Sequence, residues 1–175
     1  LLNHKVTCFS FVPKIFNDII SMPEGVKIMQ GLKFAILGGD CITPTQYQIC
    51  IKYNLKIYAS YGLTESSSGI AGFWVNKERE YIKGFIGYPH DGTDFFLKGG
   101  NIGIHSKNIM KKYSFGDNLN GTFISSDMAK LTDNKICFIG RKKDFIVSGG
   151  ENINLKNIEN IIKESISDKD VILIS

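Results

Sequence analysis

Three apolar runs of strand length, interleaved with segments of helix length, constrain this chain more than any other feature. Lys5–Val12 alternates and then turns wholly apolar, as a strand entering a core does. Pro13 stops it, and Ile15, Phe16, Ile19 and Ile20 then fall at helical spacing. Gly31–Leu37 is the second run and ends at Gly38-Gly39. Thr43-Pro44 reads as a helix start: a capping hydroxyl, then a proline at the first helical position, where its missing N–H costs nothing. Tyr47, Cys50 and Ile51 mark that helix's inner face, and Asn54 ends it. Lys56–Ser60 is the third run. Such strand–helix–strand units predict parallel pairing with right-handed crossovers, hence an α/β fold.

The pattern changes from about Lys83 to Gly140. Short apolar runs (Asp94–Leu97, Ile102–His105, Gly121–Ile124, Lys135–Ile139) separated by turn residues predict a smaller antiparallel β subdomain, with a tight hairpin at Asp133-Asn134. The exposed turn Gly140-Arg141-Lys142-Lys143-Asp144 follows. It runs into Ser148-Gly149-Gly150-Glu151-Asn152, read as a glycine pair opening a helix. Leu155, Ile158, Ile161 and Ile162 line one face of an amphipathic helix ending near Glu164. Leu1 in place of methionine, and Val171–Ser175 resembling a strand at its start, lead us to expect a piece of a longer protein.

A hydrophobic fraction of 43% with 22% charged residues fits a globular chain rather than a disordered one. The net charge of +4 is spread over scattered lysines, without the basic, aromatic-interleaved stripe of a nucleic-acid binder. No apolar run approaches a membrane span, and the N-terminus lacks the design of a signal peptide. Cys8, Cys41, Cys50 and Cys137 stand singly, which argues against a disulfide framework or zinc site and for reduced thiols in a cytoplasmic protein. His4, His90 and His105 are isolated as well.

In open α/β sheets ligands bind beyond the carboxyl ends of the strands. Two glycine-containing turns are predicted there: Gly38-Gly39-Asp40 and Tyr61-Gly62-Leu63-Thr64-Glu65. Tyr61 offers an aromatic face, Thr64 a hydroxyl for a phosphate oxygen, and Glu65 a carboxylate suited to Mg²⁺. Arg141 offers a forked donor for ribose or phosphate oxygens. Taken alone, each turn is equally well an ordinary chain reversal. The phosphate-loop, dinucleotide and nucleophile-elbow motifs are absent.

The ordered set GGD, YGLTE, SSD, GRKKD and SGGEN resembles the adenylate-forming superfamily of acyl-CoA synthetases, luciferases and peptide-synthetase adenylation domains. The likeness runs from Lys5 to about Glu164. KVTCFSFVP and RKKDFIVSGGENI are most similar to the o-succinylbenzoate–CoA ligase branch of menaquinone synthesis.

The resemblance implies that residues 1–143 are the C-terminal portion of a large AMP-binding domain, with 1–82 its α/β layer and 83–143 its β subdomain. Residues 144–175 would be a hinge and the start of a small α+β domain. It implies that Gly38, Gly39 and Asp40 wall the adenine, that Tyr61 stacks on it and that Gly62 lets it come close. Thr64 would bond the α-phosphate, Glu65 would hold Mg²⁺, and Asp127 and Arg141 would take the ribose. Asp144 would be the hinge, and Gly149 and Gly150 would lie beside the CoA path. Ser60, Ser66 and Ser68-Gly69-Ile70 would contribute to the acyl pocket.

The implied activity is ATP-dependent ligation of a small carboxylic acid to CoA, through an acyl-adenylate. The phosphate loop would precede Leu1, and the adenylating lysine would follow Ser175. This 175-residue chain alone would then show no appreciable ATP–pyrophosphate exchange. A homodimer is left open. Rival expectations are an enzyme that loads a carrier protein instead of CoA, and a nucleotide-binding remnant without catalysis. Ser126 stands where the family has a glycine in its TGD turn, which predicts a strained or altered turn. Lys112-Tyr113 replaces a familiar Gly-Tyr, and a usual glutamate is replaced near Asn101.

Overall fold

Pro13 and Thr43-Pro44 start the first and third helices of the α/β layer where the sequence places them. The computed structural model describes residues 4–148, 151–155, 158, 159, 161 and 162. Helix α1 (Pro13–Ser21) follows strand β1 (Cys8–Phe11), and a short α2 (Gly25–Gln30) leads to β2 (Phe34–Leu37). Before α3 (Pro44–Lys52), the Thr43 hydroxyl accepts from the Gln46 N–H at 3.2 Å, and Gln46 Oε1 accepts from the Thr43 N–H at 3.0 Å. This reciprocal capping box satisfies two otherwise orphan donors. The Gln46 amide is buried, and its Nε2 donates to Pro13 O and Asn17 Oδ1, tying α3 to α1. The inner face of α3 is therefore Gln46, Tyr47 and Cys50. Ile51, expected to share it, is 39% exposed because the Gln46–Tyr47–Cys50 side already meets the sheet.

Strand β3 (Ile57–Leu63) pairs in parallel with β2, and β2 with β1, as the crossovers require. The third strand does not stop at Ser60. It continues through Tyr61-Gly62-Leu63, which pair with β4 (Ser68–Trp74), so these residues belong to a strand and the turn itself is Thr64–Ser66. So short a connection can only return the chain antiparallel. The sheet is accordingly mixed, in the order β1-β2-β3-β4-β5, with β5 (Tyr88–Pro89) at its edge. Gly62 is dictated by this pairing: a Cβ there would run into the Ser68 carbonyl and Gly69 Cα of β4.

All three helices cover one face. Phe16, Met29, Tyr47 and Cys50 meet Phe11, Ala35, Leu37, Ile57 and Ala59 in a single core. Each fully buried large side chain of this set stabilises the layer by roughly 1.5–3 kcal/mol. The opposite face carries Phe34, Trp74 and Tyr58 in edge-on ring contact, with Tyr58 Oη 2.8 Å from His90 Nε2.

The second sheet is an antiparallel meander of β6 (Thr93–Lys98), β7 (Asn101–Ser106), β8 (Thr122–Thr132) and β9 (Lys135–Arg141). The β8–β9 hairpin turns on Asp133 (φ 50°) and Asn134 (φ 60°), the paired positive φ angles that favour these residue types. Ile70 and Ile86 join Ile102, Ile104 and Ala129 in a second core. Together with the Phe85–Cys137 bridge and the Phe138 N–H donated to Gly84 O, it knits the two sheets together.

Ser125-Ser126-Asp127 is not a turn but lies inside β8. Between the pairs Gly103–Ile124 and Asn101–Met128, β7 advances two residues while β8 advances four, so the segment bulges. A second irregularity on the β9 side falls between Met128 and Ala129. The Ser125 hydroxyl holds the bulge, accepting from the Asp127 N–H at 3.1 Å and lying 3.0 Å from Ile102 O. Ser126 is exposed and is not among the residues at positive φ, so its replacement of glycine introduces no strain here.

After β9, Lys142–Asp144 forms a single 3₁₀ turn, followed by β10 (Phe145–Ser148) and β11 (Glu151–Asn154), an antiparallel pair. The expected helix start after Ser148 is thus a strand return. The β-prone Phe145-Ile146-Val147 finds a partner in Asn154-Ile153-Asn152. Gly149 and Gly150 lie outside the described residues, as does Val171–Ser175. Leu155, Ile158, Glu159, Ile161 and Ile162 are helical, but Ile161 is 62% exposed and does not share a buried face with the others.

The four cysteines are free: Cys50 and Cys137 are buried, Cys41 is half-buried and Cys8 is exposed. Burial pushes the Cys50 thiol up to about 12. At pH 8 a thiol reagent is expected to label Cys8 readily and to reach Cys50 and Cys137 only with unfolding. Mass spectrometry of the native labelled chain checks this, and early modification of Cys50 would contradict the packing.

Candidate functional site

Strand β2 ends beside Ala59 of β3, which runs on for four more residues, and the bulged strand β8 meets that extension where Asp127 faces Tyr61. Between them lies a cleft of about 420 Å³. Its floor is Gly39-Asp40 from the end of β2 and Ala59–Leu63 of β3; its far wall is Asp127, Phe138 and Arg141, with Lys143 and Asp144 at the rim. Gly39 takes φ 85°, the left-handed conformation that turns the chain across the cleft mouth. Asp40 Oδ1 accepts from the Cys41 N–H at 2.8 Å, which fixes the carboxylate at that turn.

Asp127 is the centre of the site. It is only 4% exposed, and both of its oxygens are engaged by partners from different strands. The Tyr61 hydroxyl of β3 donates to Oδ2 at 2.9 Å, and Arg141 Nε of β9 donates to Oδ1 at 3.2 Å. Arg141 is directly opposite Asp127 in the β8–β9 register, and the bulges turn Asp127 inward to meet it. Burial, and next the Asp127 carboxylate, raise the Tyr61 phenol well above its usual value, so the hydroxyl remains a donor. The Tyr61 ring rests edge-on against Phe95 at 6.3 Å between centroids. Arg141 is about half exposed, which leaves guanidinium N–H groups facing the cleft for a ligand. Its backbone N–H donates to Asp144 Oδ2 at 3.2 Å, which links the site to the turn beyond.

A second cleft of about 730 Å³ lies on the other side of the same backbone. Gly39, Ser60, Gly62 and Leu63 line both clefts. Its own walls combine apolar Val12, Ile15 and Ile36 with the hydroxyls of Ser10, Thr64, Ser67 and Ser68. Ser66 is not among them. It is buried, accepting from the Leu63 N–H at 3.0 Å and holding the turn, and Ile70 is buried in the second core.

Of the residues expected in a nucleotide site, Gly39, Asp40, Tyr61, Gly62, Asp127 and Arg141 line the first cleft together, and Asp144, expected as the hinge, lines it too. Gly38 and Thr64 border the second cleft, and Glu65 lines neither. Glu65 instead meets a loop of the second sheet: its Oε1 accepts from the Tyr113 hydroxyl at 2.6 Å, and its carbonyl from the Met110 N–H at 2.8 Å. Its other carboxylate oxygen has no bond to Tyr113 and can serve a cation. Among the described residues no group of three His, Cys, Asp or Glu comes together. A magnesium ion on Glu65 would therefore share its shell with phosphate oxygens and water, which is how this ion is usually held. Sequence reasoning missed Ser125, whose hydroxyl builds the bulge, and Phe95 and Tyr113, which hold Tyr61 and Glu65. The contacts of Phe95 and Tyr113 bridge 34 and 48 positions, and no local pattern announces them.

The cleft thus lies where β2 ends beside β3 in an α/β sheet and is closed by an Asp–Arg pair from the second sheet. The family model described as AMP-binding enzyme matches residues 1–113, and the chain belongs to that family. It is 30% identical to the 2-succinylbenzoate–CoA ligase of Staphylococcus aureus over 93% of its own length and 35% of the relative's, so it spans about a third of that protein. Among solved structures, the o-succinylbenzoate coenzyme A synthetase of Bacillus subtilis in complex with the acyl-adenylate intermediate aligns at a TM-score of 0.75 and 24% identity. That alignment covers 93% of this chain and 37% of that one. McyG A-PCP complexed with phenylalanyl-adenylate aligns at a TM-score of 0.67 and 23% identity over 93% of this chain and 35% of its own. These likenesses establish the fold. No helix among the described residues is long and apolar enough to cross a membrane.

Proposed function

We propose that this chain carries the nucleotide site and one wall of the acid site of an ATP-dependent carboxylate–CoA ligase, acting on o-succinylbenzoate or a close analogue in the cytoplasm. The observation that carries the reading is the buried Asp127, bracketed by Tyr61 and Arg141, in a cleft that shares its backbone wall with a second cleft. Two vicinal ribose hydroxyls can donate to the two oxygens of Asp127, while Arg141 approaches the sugar from the other side. The Tyr61 ring and the Gly39-Asp40 turn then face the base. Asp144 remains the proposed hinge, and Gly149 and Gly150 the proposed flank of the CoA path.

With the nucleotide so placed, the shared wall brings its α-phosphate toward Thr64, at the edge of the second cleft. An acid seated there presents a carboxylate oxygen to the α-phosphorus. A new P–O bond forms, the bond to pyrophosphate breaks, and an acyl-adenylate results. The CoA thiol then attacks the acyl carbon, AMP leaves with the bonding pair, and the thiol proton passes to solvent. Thr64 donates to an α-phosphate oxygen, and Glu65 is the residue to hold magnesium. The ion, when bound, neutralises phosphate charge during adenylation. The names of the curated relatives favour CoA over a carrier protein as thiol acceptor.

Calorimetric titration of the chain tests this reading. AMP is expected to bind one-to-one. A non-hydrolysable o-succinylbenzoyl sulfamoyl-adenosine is expected to bind at least tenfold more tightly, or about 1.4 kcal/mol, because it occupies both clefts. Absence of AMP binding would overturn the nucleotide assignment. Equal affinities would overturn the assignment of the second cleft to the acid.

A further inference from the structure

Tyr113 is 49% exposed, so burial does not hold its ring in place, yet its hydroxyl is committed to a single partner across 48 positions of sequence. At 2.6 Å from Glu65 Oε1 the contact is a short, charge-assisted hydrogen bond, the strong kind. The segment around it is stapled to the same turn by two further bonds. The Met110 N–H donates to the Glu65 carbonyl at 2.8 Å, and the Ser67 hydroxyl donates to Asn108 O at 3.2 Å. At its far side the loop closes on itself, with the Leu119 N–H donating to Lys111 O at 2.8 Å. Backbone and side chain of Glu65 are thus both gripped by one loop of the second sheet, although Glu65 itself sits on the first.

We infer that Tyr113 is a positioning residue for the cation-binding carboxylate: it locks one oxygen of Glu65 so that the other is presented, already oriented, to the divalent ion that accompanies the nucleotide. This rests on the proposed role of Glu65 and goes beyond it by assigning the orientation to a second residue. Two physical effects act in the same direction. A carboxylate held by a neutral donor keeps its charge, and its side-chain torsions are fixed before the ion arrives, so less conformational freedom is lost on binding. Groups that hydrogen-bond a metal ligand typically change metal affinity 10- to 100-fold when removed. Tyrosine suits this task because its hydroxyl reaches the carboxylate without adding a charge that would compete with the cation.

The test uses the whole chain and Mn²⁺ as a paramagnetic stand-in for Mg²⁺, titrated in the presence of ATP and followed by electron paramagnetic resonance. AMP affinity without metal is measured alongside. Tyr113→Phe is expected to weaken Mn²⁺ binding about tenfold and to leave AMP affinity and melting temperature within error of the parent. Glu65→Gln is expected to weaken Mn²⁺ binding further, and Tyr113→Phe on that background to add nothing. Tyr113→Phe with parental Mn²⁺ affinity, while Glu65→Gln loses it, overturns the positioning role alone. A loss in which Mn²⁺ and AMP affinities fall together also overturns it, since that is the signature of a loop that merely supports the fold. Parental Mn²⁺ affinity in Glu65→Gln, or no Mn²⁺ bound by the parent with ATP, overturns the role of Glu65 and this inference with it.

Discussion

Replacing Asp127 with alanine is expected to weaken AMP binding about 100-fold and to lower the chain's stability by about 2–3 kcal/mol. The binding loss follows from the proposed contact of this carboxylate with the ribose: a single charge-assisted hydrogen bond is worth about 1.5–3 kcal/mol, a range that includes a 100-fold loss. The stability loss has a separate source. Asp127 is the acceptor for the Tyr61 hydroxyl, and an unsatisfied buried donor costs about 1–3 kcal/mol. Arg141, about half exposed, can turn to water and so adds little to that cost. Asp127→Asn separates the two effects. It keeps the shape of the bulge and an oxygen for Tyr61 but gives up the charge, so most of the stability should return while AMP remains weakly bound. Thermal melting and calorimetry on the three proteins read both quantities. An alanine variant that binds AMP within threefold of the parent would remove Asp127 from the site.

The second large effect is expected at Gly62. Alanine there would place its Cβ against the Ser68 carbonyl and Gly69 Cα, and backbone of a paired strand cannot move aside as a flexible side chain can. Overpacking of this kind costs about 1–3 kcal/mol and occasionally more, and Gly62→Ala should reach the upper end of that range. Because Gly62 lines both clefts, any shift of β4 that relieves the clash alters the two binding spaces together. Gly92, which no atom would crowd, is a control for the loss of glycine. Its φ of 75° still disfavours alanine, but by local backbone strain of about 1 kcal/mol and without any effect on ligand. Urea denaturation of the two variants, with AMP titration, checks the contrast. A Gly62→Ala chain as stable as Gly92→Ala would show that the β3–β4 approach is not the constraint.

The layer architecture was legible in the sequence because it is written in local signals. Pro13, Thr43-Pro44 and the apolar runs fixed where helices start and strands lie, and parallel pairing followed from the strand–helix–strand units. Asp133-Asn134 announced its hairpin for the same reason. What could not be read locally was pairing at a distance. Tyr61-Gly62-Leu63 resembles a turn until Ser68–Trp74 is known to lie beside it, and Phe145–Ser148 resembles a lead-in to a helix until Glu151–Asn154 pairs with it. The same holds for the candidate site. The motif residues on the cleft walls were named from the sequence, but the residues that hold them (Ser125, Phe95, Tyr113) come from strands and loops whose approach only the fold reveals. Ile51 was misplaced because an apolar period does not distinguish a helix face that meets the sheet from the shoulder beside it.

The excess of residues in β8 at Ser125–Asp127 makes chain length there as restrictive as residue identity. Removing one residue from this stretch would advance the strand by half a pleat. Asp127 would then point to the outer surface, and Tyr61 and Arg141 would face each other with no carboxylate between them. A deletion of the same size in the exposed loop at Ser114–Asp117 would leave the ladder in register. Tolerance to insertion and deletion in this protein should therefore drop sharply at a three-residue segment that carries no turn and looks, by composition, like one of its most replaceable parts.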